Sequence, residues 1–265
     1  LMQAQEKPAI LKENLKVISQ TEIAPKIFKM ILTGQMVQEM KEGQFLHLRM
    51  PDPSKLLRRP ISICDIDRKN RQVTIIYRVQ GTGTDLLSQM EPGDFIDTMG
   101  PQGNGFDLSV VNKGDKALLI GGGIGVPPLY ATAKALAQKG VQVTAVLGFA
   151  NKDAVILEEE MKQVARVTVT TDDGSYGIKG YVSTVVDELT DDFAAIYSCG
   201  APGMLKYVDE KFADHPHAYM SLEERMACGM GACYACVVHL KDSSEAANKR
   251  VCEDGPVFET GSVLV

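Results

Sequence analysis

The sequence predicts a β-barrel, followed by an α/β domain with a parallel sheet and a small, cysteine-rich C-terminal segment. Up to Asp97, short runs alternate between apolar and polar residues with turns between them, which is typical of half-buried strands in an antiparallel barrel. From Ala117, apolar runs alternate with helical patterns, which indicates βαβ units around a parallel sheet. Four of the six cysteines lie between Cys228 and Cys252.

The composition is that of an ordinary globular protein and argues against several classes of partner. The chain has 265 residues and a net charge of −6, without a lysine- or arginine-rich stripe, so we expect no nucleic-acid partner. No apolar run reaches the roughly 18 residues that a membrane-spanning helix needs, and the beginning lacks the pattern of a secretory signal. Because thiols stay reduced in the cytoplasm, the cysteines favour a cytoplasmic location.

The barrel strands are predicted from runs in which apolar side chains recur at every second position. Such runs occupy residues 28–32, 46–50 and 73–79. A period of two places successive side chains on opposite faces of a strand. Glycine-containing turns are predicted at residues 41–44 and 91–94.

One stretch of the barrel region indicates ligand binding. The sequence Arg59-Pro60-Ile61-Ser62 places a cation and a hydroxyl at a strand edge, and residues 81–87 form a Gly-Thr loop that enters a short apolar helix. A helix start gathers backbone N–H groups and binds phosphate. Taken singly, the motifs are more simply a surface arginine and an ordinary helix cap. Together, in this order, they resemble the flavin-binding signature of the ferredoxin-reductase superfamily.

A glycine run follows the first apolar strand of the α/β region. Residues 117–120 predict a buried strand, and residues 121–128 carry the glycines ahead of a helix. The pattern is G-x-G-x-x-P at Gly123, Gly125 and Pro128, not the common G-x-G-x-x-G. Glycines let a pyrophosphate approach the backbone, and a proline loses nothing in a first helical turn. We therefore expect a dinucleotide at this turn.

The remaining α/β elements place an acidic pair after a strand. Asp172 and Asp173 would repel the 2′-phosphate of NADP, so they favour NAD. Lys152, after the preceding strand, carries a positive charge that would favour NADP instead. We interpret it as a solvated side chain. Further strands are predicted at 141–147, 167–170 and 195–199, and helices at 157–163, 182–189 and 204–212.

The C-terminal cysteines are spaced C-x4-C-x2-C-x15-C, from Cys228 through Cys233 and Cys236 to Cys252. The first three match the plant-type run that holds a [2Fe–2S] cluster by four thiolates, although the fourth cysteine comes sooner than in plant ferredoxins. Small residues between them let the backbone curl around inorganic sulfur. A structural zinc site is the main alternative, but zinc ribbons usually show two C-x2-C pairs. A disulfide framework is less favoured in a chain of this length.

Three features resemble the ferredoxin-reductase superfamily. They are the flavin motif, formed by residues 59–62 and 81–87, the glycine run, and the Cys-Gly-x-Pro loop that begins at Cys199. For Cys199, a small core residue at a strand end is the alternative. Together with residues 221–229 and 252–258, these motifs make nearly the whole chain similar to the electron-transfer subunits of NAD-dependent (type 1B) dihydroorotate dehydrogenases.

The resemblance implies FAD, a [2Fe–2S] cluster and NAD as co-substrate. Arg59 would pair with a flavin phosphate, Ser62 would hydrogen-bond the flavin ring, and Thr84 would help to cradle phosphate. The implied metal ligands are Cys228, Cys233, Cys236 and Cys252. The implied cofactor-binding residues are Arg59, Pro60, Ile61, Ser62, Ile76, Tyr77, Arg78, Gly83, Thr84, Gly122, Gly123, Gly125, Pro128, Cys199 and Gly200.

The same resemblance implies three domains and a second subunit. Residues 1–103 would bind FAD, residues 104–218 NAD and residues 219–265 the cluster. An FMN-bearing TIM-barrel subunit would oxidise dihydroorotate, two of each chain forming a heterotetramer, and electrons would run from FMN to the cluster, then FAD, then NAD+ in pyrimidine (UMP) biosynthesis. The alternatives are a reductase subunit of another iron–sulfur flavoprotein complex and a zinc-stapled binding module.

Overall fold

The first part of the chain is a closed antiparallel barrel. The structure is a computed structural model that describes residues 10–241 and 247–265. The strand order in the barrel is β1-β2-β5-β4-β3-β6. A short helix, α1, follows β5, and a 3-10 helix follows β2. The elements are β1 (Leu11–Ala24), β2 (Ile27–Thr33), β3 (Phe45–Leu48), β4 (Arg59–Asp67), β5 (Gln72–Arg78), α1 (Thr82–Ser88) and β6 (Phe95–Gln102).

Strand β3 is buried on both of its faces. Leu46 and Leu48 belong to the core inside the barrel, as the alternation predicts. Phe45 lies on the opposite face and packs into a core that contains Cys236 and Cys252. The C-terminal segment therefore covers the outside of the barrel at this strand.

The second part is built around a parallel sheet, as predicted. The sheet order is β10-β9-β8-β7-β11-β12-β15, in which β15 is Val257–Glu259, and all its pairs are parallel except the last. The elements are β7 (Lys116–Gly122), α2 (Pro127–Gln138), β8 (Gln142–Phe149), α3 (Glu158–Lys162), β9 (Arg166–Thr171), β10 (Ile178–Lys179), α4 (Val182–Val186), β11 (Ala195–Cys199), α5 (Pro202–Lys211) and β12 (Ala218–Ser221).

The helix predicted to end at Leu189 ends earlier, at Val186. Asp187 is its C-cap, and its carboxylate accepts hydrogen bonds from Tyr207 and Lys211. Acidic side chains are unfavourable at the negative end of a helix. Asp187 and its neighbour Glu188 therefore explain why the apolar pattern does not continue as a helix.

The C-terminal segment completes the sheet. Strands β13 (Val237–His239) and β14 (Asn248–Arg250) pair with each other, and β15 (Val257–Glu259) pairs antiparallel with β12. The cysteine segment thus shares one hydrophobic core with a face of the parallel sheet. Among the described residues, no helix is long and apolar enough to cross a membrane.

Candidate functional site

A cleft of about 690 Å³ separates the barrel from the segment that follows β12. This volume lies within the range of roughly 300–1,000 Å³ that is usual for ligand pockets. It brings together most residues of the predicted flavin motif, which lie on β4, β5 and α1. Those residues are Arg59, Pro60, Ile61, Ser62, Ile76, Tyr77, Arg78 and Thr84.

Arg59 and the start of α1 meet at one corner of this cleft. A β-carbon placed on Gly83 would come within 2.8 Å of Arg59 Nε, so the guanidinium lies directly over the first turn of the helix. Arg59 Nη1 also donates to the carbonyl of Leu57 at 2.7 Å, which holds the side chain in place. A cation and a helix start at the same corner suit an anionic group.

The hydroxyl of Thr84 has a local role that the sequence did not reveal. It accepts the backbone N–H of Gln80 at 3.0 Å and donates to the carbonyl of Gly81 at 3.1 Å. These bonds fix the turn that enters α1.

Strand β5 divides its three predicted residues between two faces. Tyr77 is buried in the barrel core, and its hydroxyl donates to Gln20 Oε1 at 2.7 Å. Burial raises the pKa of this phenol. Ile76 belongs instead to the core beneath the parallel sheet, and Arg78 lies on the same face by alternation. The face of β5 that is directed away from the barrel interior therefore presents Ile76 and Arg78.

The opposite wall of the cleft comes from residues 221–226, to which sequence reasoning assigned no ligand role. Glu223 is one of these residues, and its side chain is accessible from the cleft. Burial raises the pKa of its carboxyl, and the nearby Arg78 partly opposes that rise. The only signal in the sequence was the likeness of this stretch to a family. Its placement here depends on the pairing of β12 with β11 and β15.

The glycine run lies at the carboxyl edge of the parallel sheet, where ligands of α/β folds bind. Gly122 ends β7, and Gly123 has a positive φ of 53° that suits glycine. A β-carbon on Gly125 would collide with the carbonyl of Cys199, so this glycine is required by packing. Pro128 lies in the first turn of α2, as predicted, and is buried.

Cys199 and Gly200 lie next to this run because β7 and β11 are neighbours. A β-carbon on Gly200 would lie 3.1 Å from the backbone nitrogen of Gly122. Cys199 itself is buried, and burial raises the pKa of its thiol. It is therefore not a reactive thiolate.

The acidic pair lies at the same edge of the sheet, after β9. Asp173 accepts hydrogen bonds from the backbone and hydroxyl of Ser175, at 2.9 and 2.6 Å, and these bonds lower the pKa of its carboxyl. The Ser175 hydroxyl in turn accepts the backbone N–H of Lys152 at 2.8 Å. The acidic pair and Lys152 therefore lie close together at this edge of the sheet.

The four C-terminal cysteines come together at the surface of the shared core. All are free thiols; Cys236 and Cys252 are buried, Cys228 is half-buried and Cys233 is exposed. Backbone N–H groups donate to three of the sulfurs: Met230 to Cys228 at 3.4 Å, Gly231 to Cys252 at 3.2 Å, and Cys252 to Cys236 at 3.4 Å. N–H groups directed at sulfur stabilise thiolates.

The thiols differ in acidity. Hydrogen bonds from the backbone and side chain of Cys228 and from the backbone of Ala235 lower the pKa of Cys233 to about 7. Burial, together with the neighbouring Cys236, raises the pKa of Cys252 to about 12. Within the described ranges, no group of three His, Cys, Asp or Glu side chains is placed to hold one metal ion. A [2Fe–2S] cluster does not need such a group, because its four thiolates bind in pairs, two to each iron.

Arg250 ties the two parts of the cysteine site together. Its Nη1 donates to the carbonyl of Gly231 at 2.9 Å, and its guanidinium lies 5.3 Å from the centroid of the Tyr234 ring. It also pairs with Glu253 at 3.0 Å and Asp254 at 3.1 Å. Sequence reasoning missed this residue, because the adjacent sequence contains no motif that indicates a role for an arginine.

Both sites fit the groups that the sequence predicts. Four converging cysteines with N–H donors to their sulfurs form a donor set for [2Fe–2S]. The cleft offers a cation and a helix start at one end and a mixture of apolar and charged side chains elsewhere, which suits a flavin with phosphates. These features define an iron–sulfur flavoprotein reductase.

Comparison with known proteins gives the same class and a specific family. Residues 223–264 match the iron–sulfur cluster binding domain of dihydroorotate dehydrogenase B, and residues 119–210 match the oxidoreductase NAD-binding domain. The fold resembles an NADH-dependent reduced ferredoxin-NADP oxidoreductase, with a TM-score of 0.83 and 29% identity over 98% of this chain and 91% of that one. A ferredoxin reductase of carbazole 1,9a-dioxygenase shares the fold, with a TM-score of 0.66 and 18% identity over 80% of this chain and 68% of that one.

The chain belongs to the family of dihydroorotate dehydrogenase B (NAD(+)) electron transfer subunits. It is 69% identical to the subunit from Streptococcus mutans serotype c over 97% of this chain and 99% of that relative. It is 50% identical to the subunit from Geobacillus thermodenitrificans over 96% of this chain and 99% of that relative.

Proposed function

We propose that this chain accepts electrons from a dihydroorotate-oxidising subunit that carries FMN and delivers them to NAD+ in pyrimidine (UMP) biosynthesis. The observation that carries the proposal is the meeting of four cysteines, a flavin-sized cleft and a glycine-lined sheet edge in one chain. A [2Fe–2S] cluster supplies one-electron transfer, and FAD supplies the change between single electrons and hydride.

We assign the holding of FAD to the barrel side of the cleft. Arg59 and the turn at Gly83 would neutralise the phosphates, and Ser62, Ile76 and Arg78 would face the rest of the flavin. Glu223 and its neighbours would close the opposite wall and exclude water. This part corresponds to residues 1–103, with the wall contributed from the C-terminal segment.

We assign the holding of the cluster to Cys228, Cys233, Cys236 and Cys252. The N–H groups of Met230, Gly231 and Cys252 would stabilise the thiolate charge. Residues 219–265 would act as the cluster-binding part, although β15 extends the sheet of the neighbouring part.

We assign the nicotinamide dinucleotide to residues 104–218. Gly122, Gly123, Gly125 and the first turn of α2 at Pro128 would receive the pyrophosphate. Gly200 would leave room beside the nicotinamide, and Cys199 would support the strand end from within the core. Asp172 would favour the ribose of NAD over the 2′-phosphate of NADP.

We place the partner at the exposed side of the cysteine site. Cys233 is exposed there, and so are Met230, with 50% of its surface accessible, and Tyr234, with 61%. Exposed apolar side chains that lie close together are typical of interaction surfaces. The partner would be an FMN-bearing subunit in a heterotetramer of two copies of each chain. The free thiols suit a cytoplasmic location.

The cofactor assignments are tested by purifying the full chain under anaerobic conditions. We expect FAD on extraction, with iron and acid-labile sulfide at two of each per chain. Changing any one of the four cysteines to Ala should abolish bound iron, whereas Cys64→Ala, in the buried core outside this site, should leave it. Zinc in place of iron, or FMN alone, would contradict the assignment.

A further inference from the structure

Two buried polar side chains lie directly beneath the cysteine loop. On β3, Leu46 and Leu48 face the barrel core, so His47 faces outward, towards the cysteine segment. Gln102 lies on the neighbouring strand β6. A β-carbon on Gly229 would collide with His47 Nδ1 and lie 2.9 Å from Gln102 Oε1. Both side chains therefore contact Gly229, the residue next to Cys228.

These two side chains lack hydrogen-bond partners in the part of the chain that the structure describes. His47 is fully buried, and Gln102 is 1% exposed. Neither ring nitrogen of His47 and neither amide atom of Gln102 has a partner there. Such a concentration of unpaired buried groups is unusual and calls for a partner.

The chemistry of the two side chains indicates what kind of partner is missing. An imidazole offers at least one N–H donor in either of its protonation states. Gln102 offers two more donors. Both side chains are directed at a loop that is proposed to hold electron-rich sulfur.

The backbone of His47 also contacts the wall of the flavin cleft. Arg58 Nη1 donates to the carbonyl of His47 at 3.2 Å, and Arg58 lines the cleft. Arg58 is itself held by Asp97 at 2.7 Å. His47 therefore lies between the two redox sites and is fixed from the flavin side.

We propose that His47, aided by Gln102, is a positioning residue that donates a hydrogen bond to the sulfur-rich centre beside Gly229 and raises its reduction potential. The acceptor is the Cys228 thiolate or an inorganic sulfide of the cluster. A donor to sulfur stabilises the extra negative charge of the reduced state more than the oxidised state. The inference rests on the proposed [2Fe–2S] site.

The test is the midpoint potential of the cluster in the full, cofactor-loaded chain. The reduced state is monitored by its electron paramagnetic resonance signal. His47→Leu removes the donor and should lower the potential. His47→Gln keeps a donor and should lower it less. His239→Gln changes an exposed histidine on β13 and should leave it unchanged. An unchanged potential in a His47→Leu protein with full iron and sulfide content overturns the inference, whereas absence of iron and sulfide from the unaltered chain refutes the proposed site itself.

A second measurement does not depend on whether His47→Leu retains the cluster. The chain has four histidines, so uniform ¹⁵N-histidine labelling introduces few labelled rings. The reduced cluster should show a weak ¹⁵N coupling that persists in His239→Gln and is lost in His47→Gln. A wild-type spectrum without that coupling overturns the inference.

Discussion

Arg250 Nη1 donates to the carbonyl oxygen of Gly231 at 2.9 Å. This bond joins the segment that carries Cys252 to the loop that carries the other three cysteines. A β-carbon on Gly231 would lie 3.0 Å from the same Nη1 and would collide with Glu253. The glycine is therefore required both by its positive φ of 76° and by the closeness of the Arg250–Glu253 pair.

Replacing Arg250 should loosen the cluster. Arg250→Gln removes the bond to Gly231, the contact with the Tyr234 ring and the ion pairs with Glu253 and Asp254. We expect iron to be released to a chelator several-fold faster than from the unaltered chain. Arg250→Lys keeps the charge but not the forked geometry. Its rate of iron release should lie between those of the unaltered chain and Arg250→Gln. Lys249→Gln, on the same strand, is the control, and equal release rates in Arg250→Gln and this control would contradict the role of Arg250.

Replacing Arg59 should weaken the retention of FAD. The loss of a charge-assisted contact to phosphate costs about 1.5–3 kcal/mol, which corresponds to roughly a tenfold to hundredfold weaker affinity. The measurement is the dissociation constant of FAD for apoprotein, followed by flavin fluorescence. Arg49→Ala, which removes a half-exposed arginine from the same barrel, controls for the change in net charge. A dissociation constant unaffected by Arg59→Ala would show that the flavin phosphate does not bind beside Arg59.

The acidic pair after β9 should set a preference for NADH over NADPH. Asp173 is engaged by Ser175, so Asp172→Ala is the sharper change. We expect the kcat/KM for NADPH to rise by about tenfold, the effect of removing about 1.4 kcal/mol of repulsion, while that for NADH changes little. Steady-state rates with an artificial electron acceptor measure both. Equal kcat/KM values for the two nucleotides in the unaltered chain would show that the pair faces elsewhere.

Glu223 should make the chain less stable as the pH rises. Its folded-state pKa is raised above the ordinary value of 4.5, so the unfolded chain releases this proton more readily than the folded chain. The free energy of unfolding then falls as the pH rises above 4.5. Glu223→Gln should therefore raise the Tm of the cofactor-loaded chain more at pH 8 than at pH 5. Glu224→Gln, which changes the neighbouring carboxyl in the same wall of the cleft, is the comparison; a Tm difference independent of pH in Glu223→Gln would contradict the raised pKa of the Glu223 carboxyl.

The parts that local chemistry determines could be predicted from the sequence. The cysteine spacing predicts the convergence of Cys228, Cys233, Cys236 and Cys252, because a short loop limits where the thiols can lie. Arg59 and the Gly83 turn were also predictable, since both belong to motifs of recognisable order. The period of two in β3 correctly placed Leu46 and Leu48 in the barrel core.

The remaining features depend on tertiary contacts between distant segments. Glu223 faces Arg78 across the cleft only because the chain returns to the sheet edge after β12. His47 resembles any polar residue in an alternating strand, and its burial follows from the cysteine segment that covers it. Gly125 was predicted as room for a pyrophosphate, yet the collision of a β-carbon with the Cys199 carbonyl shows that packing alone requires it.

We propose that this chain carries electrons but does not itself oxidise the organic substrate. The test is the reduction of NAD+ by dihydroorotate, measured at 340 nm with the full chain alone and after addition of the catalytic subunit that we propose to carry FMN. The isolated chain should oxidise NADH with artificial acceptors but show no dihydroorotate-dependent reduction of NAD+. Addition of the second subunit should give rise to that reduction. Robust dihydroorotate:NAD+ turnover by this chain alone, with no second subunit present, would contradict the account.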